Sequence, residues 1–448
     1  MRGRSRVTLQ PQTVHRVDEI VAGAQSEGRA PSLVTGIVRD GELEYVSGAG
    51  ELPVPDANTQ YRIGSISKTL TAALLLRLRD DGKLSLEEPL ERHLPGTALG
   101  RVTLRQLLAH SGGVQREPDG AWWERSVGGD LQTLVATIGP DKAAWPPLRR
   151  YHYSNLAYGL LGGVAAKVAG TDWWTAVREG FLEPLGMDRT TYQATQPFAR
   201  GYLVHPWHGT LREEPRHDSG AMAPAGQLWS TVTDLARWAA FLAAPDPRLL
   251  APATMREMAS PAIIADPERW SGGQGLGLQL WRRGERVFAG HTGSMPGYLA
   301  ILVTHRPSRT GVVAFANAYR LGISGGIGGL GIRLLEAVLD GEPAPPPRPW
   351  RPGAAPPNEV EPLCGRWWWM GLEYEARWDS ESRELVLRSL GPTPTTPWRF
   401  TSVGGDRWRC RSGENDGEYL RVRRSRAGTV AALDIATWVF TRDPWPAM

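Results

Sequence analysis

The sequence has few cysteines and few lysines, and it lacks long apolar runs. Its 448 residues include two cysteines, Cys364 and Cys410, which excludes a disulfide framework and a cysteine-rich metal site. No apolar stretch approaches the roughly 18 residues that a membrane-spanning helix needs, so we expect no membrane association. Lysine occurs four times, and the net charge of +4 comes from scattered arginines without a basic run. We therefore expect no nucleic-acid partner.

The N-terminal segment begins with basic residues but does not continue as a secretory signal peptide would. No apolar segment of about 7–15 residues follows the first arginines. The overall composition, with 41% hydrophobic and 22% charged residues, is ordinary for a soluble globular enzyme. On these grounds we expect a cytoplasmic protein, and the oligomeric state stays open.

A proline-rich segment divides the chain. Nine of the 22 residues in segment 341–362 are proline, which is too many for a helix or a central strand, so we predict a stiff linker. A large domain then occupies residues 1–340, and a small domain occupies residues 363–448. The small domain has short β-rich runs separated by turn residues, which predicts an all-β barrel or sandwich. These runs lie at residues 374–378, 384–387 and 437–440.

The large domain combines strands at both ends with helices between them. Residues 33–38 and 43–47 flank an Asp-Gly turn and predict a hairpin. Apolar residues at helical spacing follow Ser65 and predict a helix that ends near Asp81. Further helices are predicted at 104–108, 156–168 and 232–242, and consecutive strands at 287–289, 299–303 and 312–316. The order predicts an α+β fold, with an antiparallel sheet flanked by helices and a helical block.

The segment Ser65-Ile66-Ser67-Lys68 is the first candidate for catalysis. Residues three apart on a helix share a face, so the Ser65 hydroxyl and the Lys68 amine can meet. A lysine that is neutral because it is desolvated can act as base toward that serine. No other serine in the chain precedes a lysine at this spacing. The alternative is an ordinary serine and an exposed lysine at the start of a helix.

The segments Tyr153-Ser154-Asn155 and His291-Thr292-Gly293-Ser294 are the next candidates. A tyrosine and an amide two apart in a loop offer a proton shuttle and an orienting hydrogen-bond group. Taken alone, Tyr153 and Asn155 are better explained as residues at a helix entrance. A strand that ends in Thr-Gly lets a substrate backbone lie alongside it, although an ordinary strand-to-turn segment has the same pattern.

In this order, the three segments resemble the motifs of the penicillin-recognising serine enzymes. This group contains class C β-lactamases, D,D-peptidases, related esterases and D-amino-acid peptidases. The resemblance covers about residues 14–340. Supporting stretches are the residues 61–64 before the serine, the stretch 107–113 that includes His110, the segment 184–187, and residues 290–298.

The resemblance implies a role for each matching residue. Ser65 would be the nucleophile that forms an acyl-enzyme, and Lys68 and Tyr153 would share general-base and general-acid duty. Asn155 would hold Lys68 and the substrate amide. The backbone N–H groups of Ser65 and Ser294 would form the oxyanion hole.

Position 291 departs from the family pattern, because many members carry lysine where this chain has His291. A neutral imidazole supplies no fixed positive charge for a substrate carboxylate, so strong carboxylate anchoring is not expected. His291 still suits proton shuttling with Tyr153, and Thr292 and Gly293 would contact substrate. We also place Trp229 at the cleft as a substrate-binding residue.

We expect neither a metal nor an organic cofactor. The histidines that could suggest a metal site lie on a loop without the spacing of a helical ligand pair. These residues are His205, His208, His217 and, with them, Asp218.

The C-terminal domain resembles the lipocalin-like β-domain of some family members. Penicillin-binding-protein-type thioesterases combine such a domain with this catalytic body, and they release carrier-bound nonribosomal peptides as macrolactams. The resemblance therefore implies transfer of a D-residue acyl group from Ser65 to an amine, on a peptide or ester substrate presented by a peptidyl carrier protein. Two alternatives stay open: a cytosolic D-stereospecific peptidase, amidase or esterase that transfers the acyl group to water, and a sensor that binds β-lactams or peptides without turnover.

Overall fold

The structure, a computed structural model, describes residues 9–342, 350, 352–393 and 395–445. It divides into two compact units, Met1–Ala344 and Pro345–Met448. The boundary falls inside the predicted linker, of which residues 343–349 and 351 lie outside the described residues. The rest of that segment contains the end of a helix at Gly341 and a 3₁₀ turn at Glu361–Leu363.

An eight-stranded antiparallel sheet forms the centre of the first unit. The unit's strands are β1 (Ser32–Arg39), β2 (Glu42–Gly50), β3 (Tyr61–Arg62), β4 (Tyr202–Val204), β5 (Leu211–Glu213), β6 (Trp229–Ser230), β7 (Ile263–Ile264), β8 (Gly272–Gln274), β9 (Gln279–Arg283), β10 (Arg286–Met295), β11 (Tyr298–His305) and β12 (Thr310–Ala316). The sheet order is β2-β1-β12-β11-β10-β9-β8-β7. The N-terminal hairpin thus pairs with the last strand of the unit, which confirms the predicted α+β fold.

Helices cover both faces of this sheet and fill the chain between its two halves. They are α1 (Pro11–Gly28), α2 (Ser67–Asp80), α3 (Leu90–His93), α4 (Leu104–Leu108), α5 (Leu131–Ala136), α6 (Asn155–Ala169), α7 (Trp173–Val177), α8 (Ala223–Gly226), α9 (Val232–Ala243), α10 (Pro252–Met258) and α11 (Gly326–Gly341). Among the described residues, no helix is long and apolar enough to cross a membrane.

The sheet is buried on both faces, which explains why its central strands are almost entirely apolar. Every residue of β12 is buried. In β1, Val34 and Val38 belong to the apolar cluster that includes the helical block, while Leu33 and Ile37 belong to the cluster formed with α1 and α11. Alternate residues of a strand point to opposite faces, so one short strand contributes to both clusters.

Two elements of this unit differ from the sequence-based expectation. The N-terminal helix α1, with Val17 and Val21 buried, was not predicted. Strand β10 is longer than the predicted run 287–289 and its Thr-Gly end, because residues 289–295 all pair with β11 and extend it to Met295. His291, Thr292 and Gly293 are therefore strand residues.

The second unit is an eight-stranded closed barrel, which confirms the predicted all-β domain. Its strands are β13 (Gly365–Trp369), β14 (Leu372–Asp379), β15 (Glu384–Ser389), β16 (Trp398–Gly404), β17 (Arg407–Cys410), β18 (Tyr419–Arg424), β19 (Val430–Ile435) and β20 (Trp438–Thr441). The interior is filled by apolar side chains, among them Trp367, Phe400, Leu420 and Phe440, which are fully buried. The second unit therefore has its own apolar core.

Trp238 ties α9 to the helix that carries Lys68, and its removal tests this packing. Its buried indole stacks on Phe241 and donates a 2.7 Å hydrogen bond to Thr69 Oγ1 on α2. Trp238→Ala should lower the free energy of unfolding of the first unit by about 3–5 kcal/mol, because it leaves a cavity. Trp207→Ala is the control, because Trp207 is 88% exposed. Equal unfolding midpoints in denaturant for the two variants would contradict the described core.

Candidate active site

Ser65 and Lys68 meet as the sequence predicts. Ser65 lies in a 3₁₀ turn, Gly64–Ile66, that leads directly into α2, and Lys68 lies in the first turn of that helix. The Lys68 Nζ atom donates to Ser65 Oγ at 2.9 Å. The serine is at the cleft surface and the lysine is completely buried, so the amine approaches the hydroxyl from the protein interior.

Burial of Lys68 changes its protonation. Its second hydrogen bond, 2.7 Å long, goes to the backbone carbonyl of Ala225. Its Nζ lies 5.1 Å and 5.6 Å from the ring centroids of Tyr153 and Tyr158, and it forms no ion pair with a described carboxylate. Desolvation lowers the pKa of Lys68 to about 7. The amine is thus substantially neutral near pH 7 and can accept a proton from Ser65.

Two glycines allow β10 to pass directly beside the nucleophile. A Cβ on Gly64 would lie 2.5 Å from the backbone nitrogen of Ser294, and a Cβ on Gly293 would lie 1.9 Å from the carbonyl oxygen of Ile63. Gly64 also has a φ of +51°, a left-handed conformation that glycine adopts without strain. The backbones of Ser65 and Ser294, the predicted oxyanion hole, therefore lie side by side.

Tyr153 and Asn155 enter the site from the start of α6. Ser154 caps this helix by accepting a hydrogen bond from the Ala157 N–H, and Asn155 is its first residue rather than a loop residue. Both Tyr153 and Asn155 line the cleft with Ser65. Burial raises the pKa of Tyr153 far above its usual value, and a contact with the Ser65 hydroxyl lowers it by less. Tyr153 is therefore a neutral phenol that can donate a proton.

His110 holds this loop in place, a role that sequence reasoning did not assign. Its Nδ1 accepts a 3.1 Å hydrogen bond from the Ser154 N–H, and its ring lies 4.2 Å from that of Tyr153. Burial and the nearby Lys68 lower the pKa of His110 well below its usual value, which keeps the imidazole neutral. The stretch 107–113 contributed to the family resemblance, but nothing in the sequence indicated what His110 contacts.

Asn155 does not hold Lys68 as expected. Its Nδ2 donates instead to both carboxylate oxygens of Glu117, at 2.9 Å and 3.0 Å, while Lys68 bonds to Ser65 and Ala225. The carboxylate competes successfully because a hydrogen bond to a charged acceptor is stronger than one to a neutral amine. Glu117 was not predicted as a site residue.

His291 lies beside Tyr153 as a neutral, buried imidazole. Its Nδ1 is 2.5 Å from the carbonyl oxygen of Thr292, which can only accept, so Nδ1 carries the proton and Nε2 is left as an acceptor. Desolvation lowers the pKa of His291 to about 3. The ring centroids of His291 and Tyr153 are 6.1 Å apart. This histidine brings no positive charge to the cleft.

The free edge of β10 forms one wall of the cleft. Pairing with β9 ends at Gly290, so that Thr292, Gly293 and Ser294 face the cleft on this side. Thr292 donates through both its backbone N–H and its hydroxyl to Gln279 Oε1. The glycine-rich start of α11 closes the wall, with Gly328 packed against Thr292.

The cleft has a volume of about 920 Å³ and contains residues that the sequence did not single out. Besides the predicted residues, it is lined by Arg116, Glu117, Trp122, Glu124, Tyr151, Gln279, Arg283 and Tyr319. Trp122, which is 43% exposed, packs edge-on against Tyr319. Acidic residues in the loop 114–129 gave no recognisable sequence signal, because they carry no motif.

The expectation that Trp229 binds substrate is wrong. Trp229 lies in β6, which pairs with β3 behind the nucleophile, and it is 2% exposed. Its ring packs against Tyr298 and Phe198 and under the Arg62 guanidinium. It does not line the cleft that contains Ser65. The tryptophans that line the cleft are Trp122 and Trp281 instead.

The pKa of Lys68 predicts how the reaction of Ser65 depends on pH. Only the neutral amine can take the serine proton, so the acylation rate should rise about tenfold per pH unit below pH 7 and level off above it. The rate of acylation by an activated aryl ester, followed between pH 5 and 9, measures this dependence. A midpoint at or above pH 9 would contradict it.

Gly64→Ala tests the close backbone packing at the predicted oxyanion hole. The added Cβ must displace the backbone of Ser294, so acylation should slow by about a hundredfold, the usual effect of losing one oxyanion donor. Gly82→Ala is a matched control: Gly82 also has a positive φ, of +72°, but no atom lies within 4 Å of its Cβ position. Equal rates of Ser65 acylation in the two variants would contradict the close backbone packing.

Comparisons with known proteins place this site in a family. The family model described as Beta-lactamase matches residues 17–322, and residues 356–442 match a domain of unknown function, DUF7586. The sequence is 29% identical over 406 residues to a beta-lactamase-like protein of Homo sapiens, covering 85% of this chain and 79% of that protein. It is 26% identical over 320 residues to Beta-lactamase-like protein 2 of Dictyostelium discoideum, covering 66% of this chain and 58% of that protein.

Solved structures with similar folds align with one or both units of this chain. A penicillin-binding protein homologue from Pyrococcus abyssi, an octamer, has a TM-score of 0.65 and 23% identity, covering 96% of this chain and 100% of that chain. A D-stereospecific amidohydrolase from Streptomyces has a TM-score of 0.61 and 26% identity, covering 73% of this chain and 97% of that chain. SurE has a TM-score of 0.60 and 26% identity, covering 96% of this chain and 99% of that chain.

The family match spans more than half of the chain and includes Ser65, Lys68, Tyr153 and His291. It confirms the resemblance that the three motifs indicated. The chain belongs to the beta-lactamase family of serine hydrolases.

Proposed function

We propose that the protein takes a D-configured acyl group onto Ser65 and passes it to an amine, releasing and cyclising a peptidyl thioester. The observation that carries the acyl-enzyme step is the 2.9 Å contact between Ser65 Oγ and the buried Lys68, whose pKa is lowered to about 7. A serine becomes a strong nucleophile only when a base takes its proton. The cleft of about 920 Å³ leaves room for a peptide beside this pair.

The acylation step follows from the protonation states of the site. Lys68 Nζ takes the Ser65 proton while Oγ forms a bond to the acyl carbon, and the backbone N–H groups of Ser65 and Ser294 stabilise the oxyanion. The bond to the leaving group then breaks, and the leaving thiolate or amine takes up the proton that Lys68 received from Ser65, directly or relayed through the Tyr153 hydroxyl. The products are the acyl-enzyme and the free thiol or amine.

Deacylation reverses these roles. An acceptor amine attacks the acyl carbon and loses a proton to Lys68, directly or relayed through the Tyr153 hydroxyl. The Ser65 oxygen then leaves and takes this proton back from Lys68. If the amine belongs to the same peptide, the product is a macrolactam. A peptidyl carrier protein would present such a thioester, and we include it in the proposal as the partner.

Similar proteins support a D-configured acyl group. The amidohydrolase from Streptomyces is named as D-stereospecific, and SurE has also been solved with D-leucine. The match to SurE also extends over both units of this chain, with 96% covered. The choice of an amine as acceptor rests on the resemblance of the second unit to the β-domain of the peptide-cyclising thioesterases.

Hydrolysis is the second candidate, with water as the acceptor. It is favoured by the similarity to the D-stereospecific amidohydrolase, which spans 97% of that chain and aligns with 73% of this one. The acylation step is the same in both cases, and the acceptor alone decides between them.

The test uses a linear peptidyl thioester that ends in a D-residue, and its L-epimer, with mass spectrometry of protein and products. We expect a mass increase on Ser65 with the D-epimer, followed by a cyclic product. A linear acid as the only product would make the protein a D-specific hydrolase. A stable adduct without release would indicate a sensor, and equal rates for both epimers would contradict the D-specific proposal.

Ser65→Ala is the control for this experiment. It removes the nucleophile and should reduce product formation at least about a thousandfold, while the circular dichroism spectrum stays unchanged. Turnover retained in this variant would exclude the acyl-enzyme mechanism.

A further inference from the structure

A second cavity of the first unit shares no lining residue with the cleft in the part of the chain that the structure describes. Its volume of about 580 Å³ is typical of a small-molecule site. Arg62, three residues before Ser65, lines it together with Gln227 and Trp229. Loop residues between 193 and 218 form the rest of its wall. Neither step of the proposed acyl transfer uses this cavity.

Arg62 is a buried cation without a counterion. It is 1% exposed and forms no ion pair with a described carboxylate. Its Nη2 donates a long hydrogen bond of 3.4 Å to Gln227 Oε1. Its Nε and Nη1 atoms have no acceptor among the described residues. The N–H groups on these two nitrogens therefore lack a partner, which is costly for a buried charged group.

Two glutamates line the same cavity, but arginines outside it pair with them. Glu214 accepts hydrogen bonds from Arg125, and Glu213 lies 3.2 Å from a guanidinium nitrogen of Arg200. Neither of these arginines lines the cavity. Because both carboxylates have a counterion of their own, they do not neutralise Arg62.

The third carboxylate of the wall, Asp218, also has other partners. Its Oδ1 accepts hydrogen bonds from the Tyr192 hydroxyl and from the Gly220 N–H. Asp218 is exposed, so water also stabilises its charge. The N–H groups of Arg62 thus remain available to a ligand.

Arg216 brings a second unpaired cation to the cavity wall. Its guanidinium carbon lies 4.6 Å from the ring centroid of Phe198, and it forms no ion pair with any carboxylate that the structure describes. Burial and, to a smaller extent, the charge of Arg216 lower the pKa of Arg62 to about 10, while Glu124 in the cleft opposes this shift. Both guanidinium groups are charged at pH 7, and an anion between them would offset their repulsion.

We propose that this cavity binds a small organic monocarboxylate, whose carboxylate group contacts Arg62 and Arg216. A planar guanidinium donates two parallel hydrogen bonds to a planar carboxylate, which is the strongest neutral-pH pairing open to it. The acyl-transfer reaction does not enter this argument. A free organic acid and the C-terminal carboxylate of a peptide share this chemistry, and the experiment below distinguishes them.

The wall of the cavity favours an acid with one charge and an apolar body. The Trp229 ring lies 5.8 Å from the guanidinium carbon of Arg62, and Ala194 adds further apolar surface. The three carboxylates of the wall repel additional negative charge, so a dianion such as phosphate fits less well than a monoanion.

The first measurement is a titration of the full-length protein with para-fluorobenzoate and with its neutral amide, para-fluorobenzamide, followed by fluorine NMR. The acid should bind at least about tenfold more tightly, because only the acid can satisfy the buried guanidinium. Equal affinities would overturn the carboxylate site. Tighter binding of inorganic phosphate than of para-fluorobenzoate would also overturn it.

The second measurement uses Arg216→Ala, because replacement of the buried Arg62 endangers folding itself. The exposed Arg216 can be removed without loss of core packing, and its loss should weaken para-fluorobenzoate binding about fivefold. Arg212→Ala is the matched control, since Arg212 is an exposed arginine of β5 that does not line the cavity. Equal affinities of the two variants would contradict the proposed site.

The position of the ligand provides a test that needs no variant. Crystals of the full-length protein are soaked with para-bromobenzoate, and the anomalous signal of bromine locates it. We expect bromine in the cavity beside Arg62 and Trp229. Bromine found only in the cleft beside Ser65, or only between neighbouring molecules, would show that the inference is wrong.

The last arm identifies the source of the carboxylate. N-acetylglycylglycine, which carries a peptide C-terminus, is titrated in competition with para-fluorobenzoate. Displacement at a similar concentration supports the site and assigns it to peptide termini, and failure to displace supports it as a site for free organic acids. None of these measurements requires turnover, so they stand whether or not Ser65 is acylated by a peptidyl thioester.

Discussion

The site depends on a lysine amine that is buried without a carboxylate partner. Lys68 is completely enclosed, and within the described part of the chain its two hydrogen bonds go to the Ser65 hydroxyl and the Ala225 carbonyl. An ammonium in this position would lose its hydration, and the charges of Glu124 and Glu117 compensate for this loss only in part, so the pKa falls to about 7. The same burial keeps Tyr153 protonated and His291 neutral. One physical effect, desolvation, therefore sets the protonation states needed for proton transfer from the serine.

Three distant parts of the chain must meet for this to work, and the fold brings them together through backbone contacts. Strand β10 lies directly against the turn before α2, and Gly64 and Gly293 permit an approach that any side chain would prevent. The start of α6 supplies Tyr153, held by the hydrogen bond from Ser154 to His110. The sheet and the helical block thus fix backbone positions as well as side chains, which suits chemistry that relies on backbone donors.

The sequence predicted the parts of this arrangement that depend on local pattern or on motifs. The Ser65–Lys68 contact, the α+β fold and the all-β C-terminal unit follow from spacing and periodicity. Prediction from the sequence failed where contacts between residues far apart in the chain determine the structure. Asn155 was expected to hold Lys68 but is bound by Glu117, and Trp229 packs behind the nucleophile because β6 pairs with β3. The role of His110 could not be predicted either, since it depends on a contact with a loop 44 residues away.

The most direct test of this account is the titration of Lys68 itself. The chain contains only four lysines, so NMR of protein labelled in the lysine side chains resolves each amine, and Lys68→Met assigns the relevant signal. The account predicts that Lys68 titrates with a pKa of about 7. A pKa near the ordinary lysine value of about 10.4 would contradict it, because the amine would then be charged and could not take the proton of Ser65.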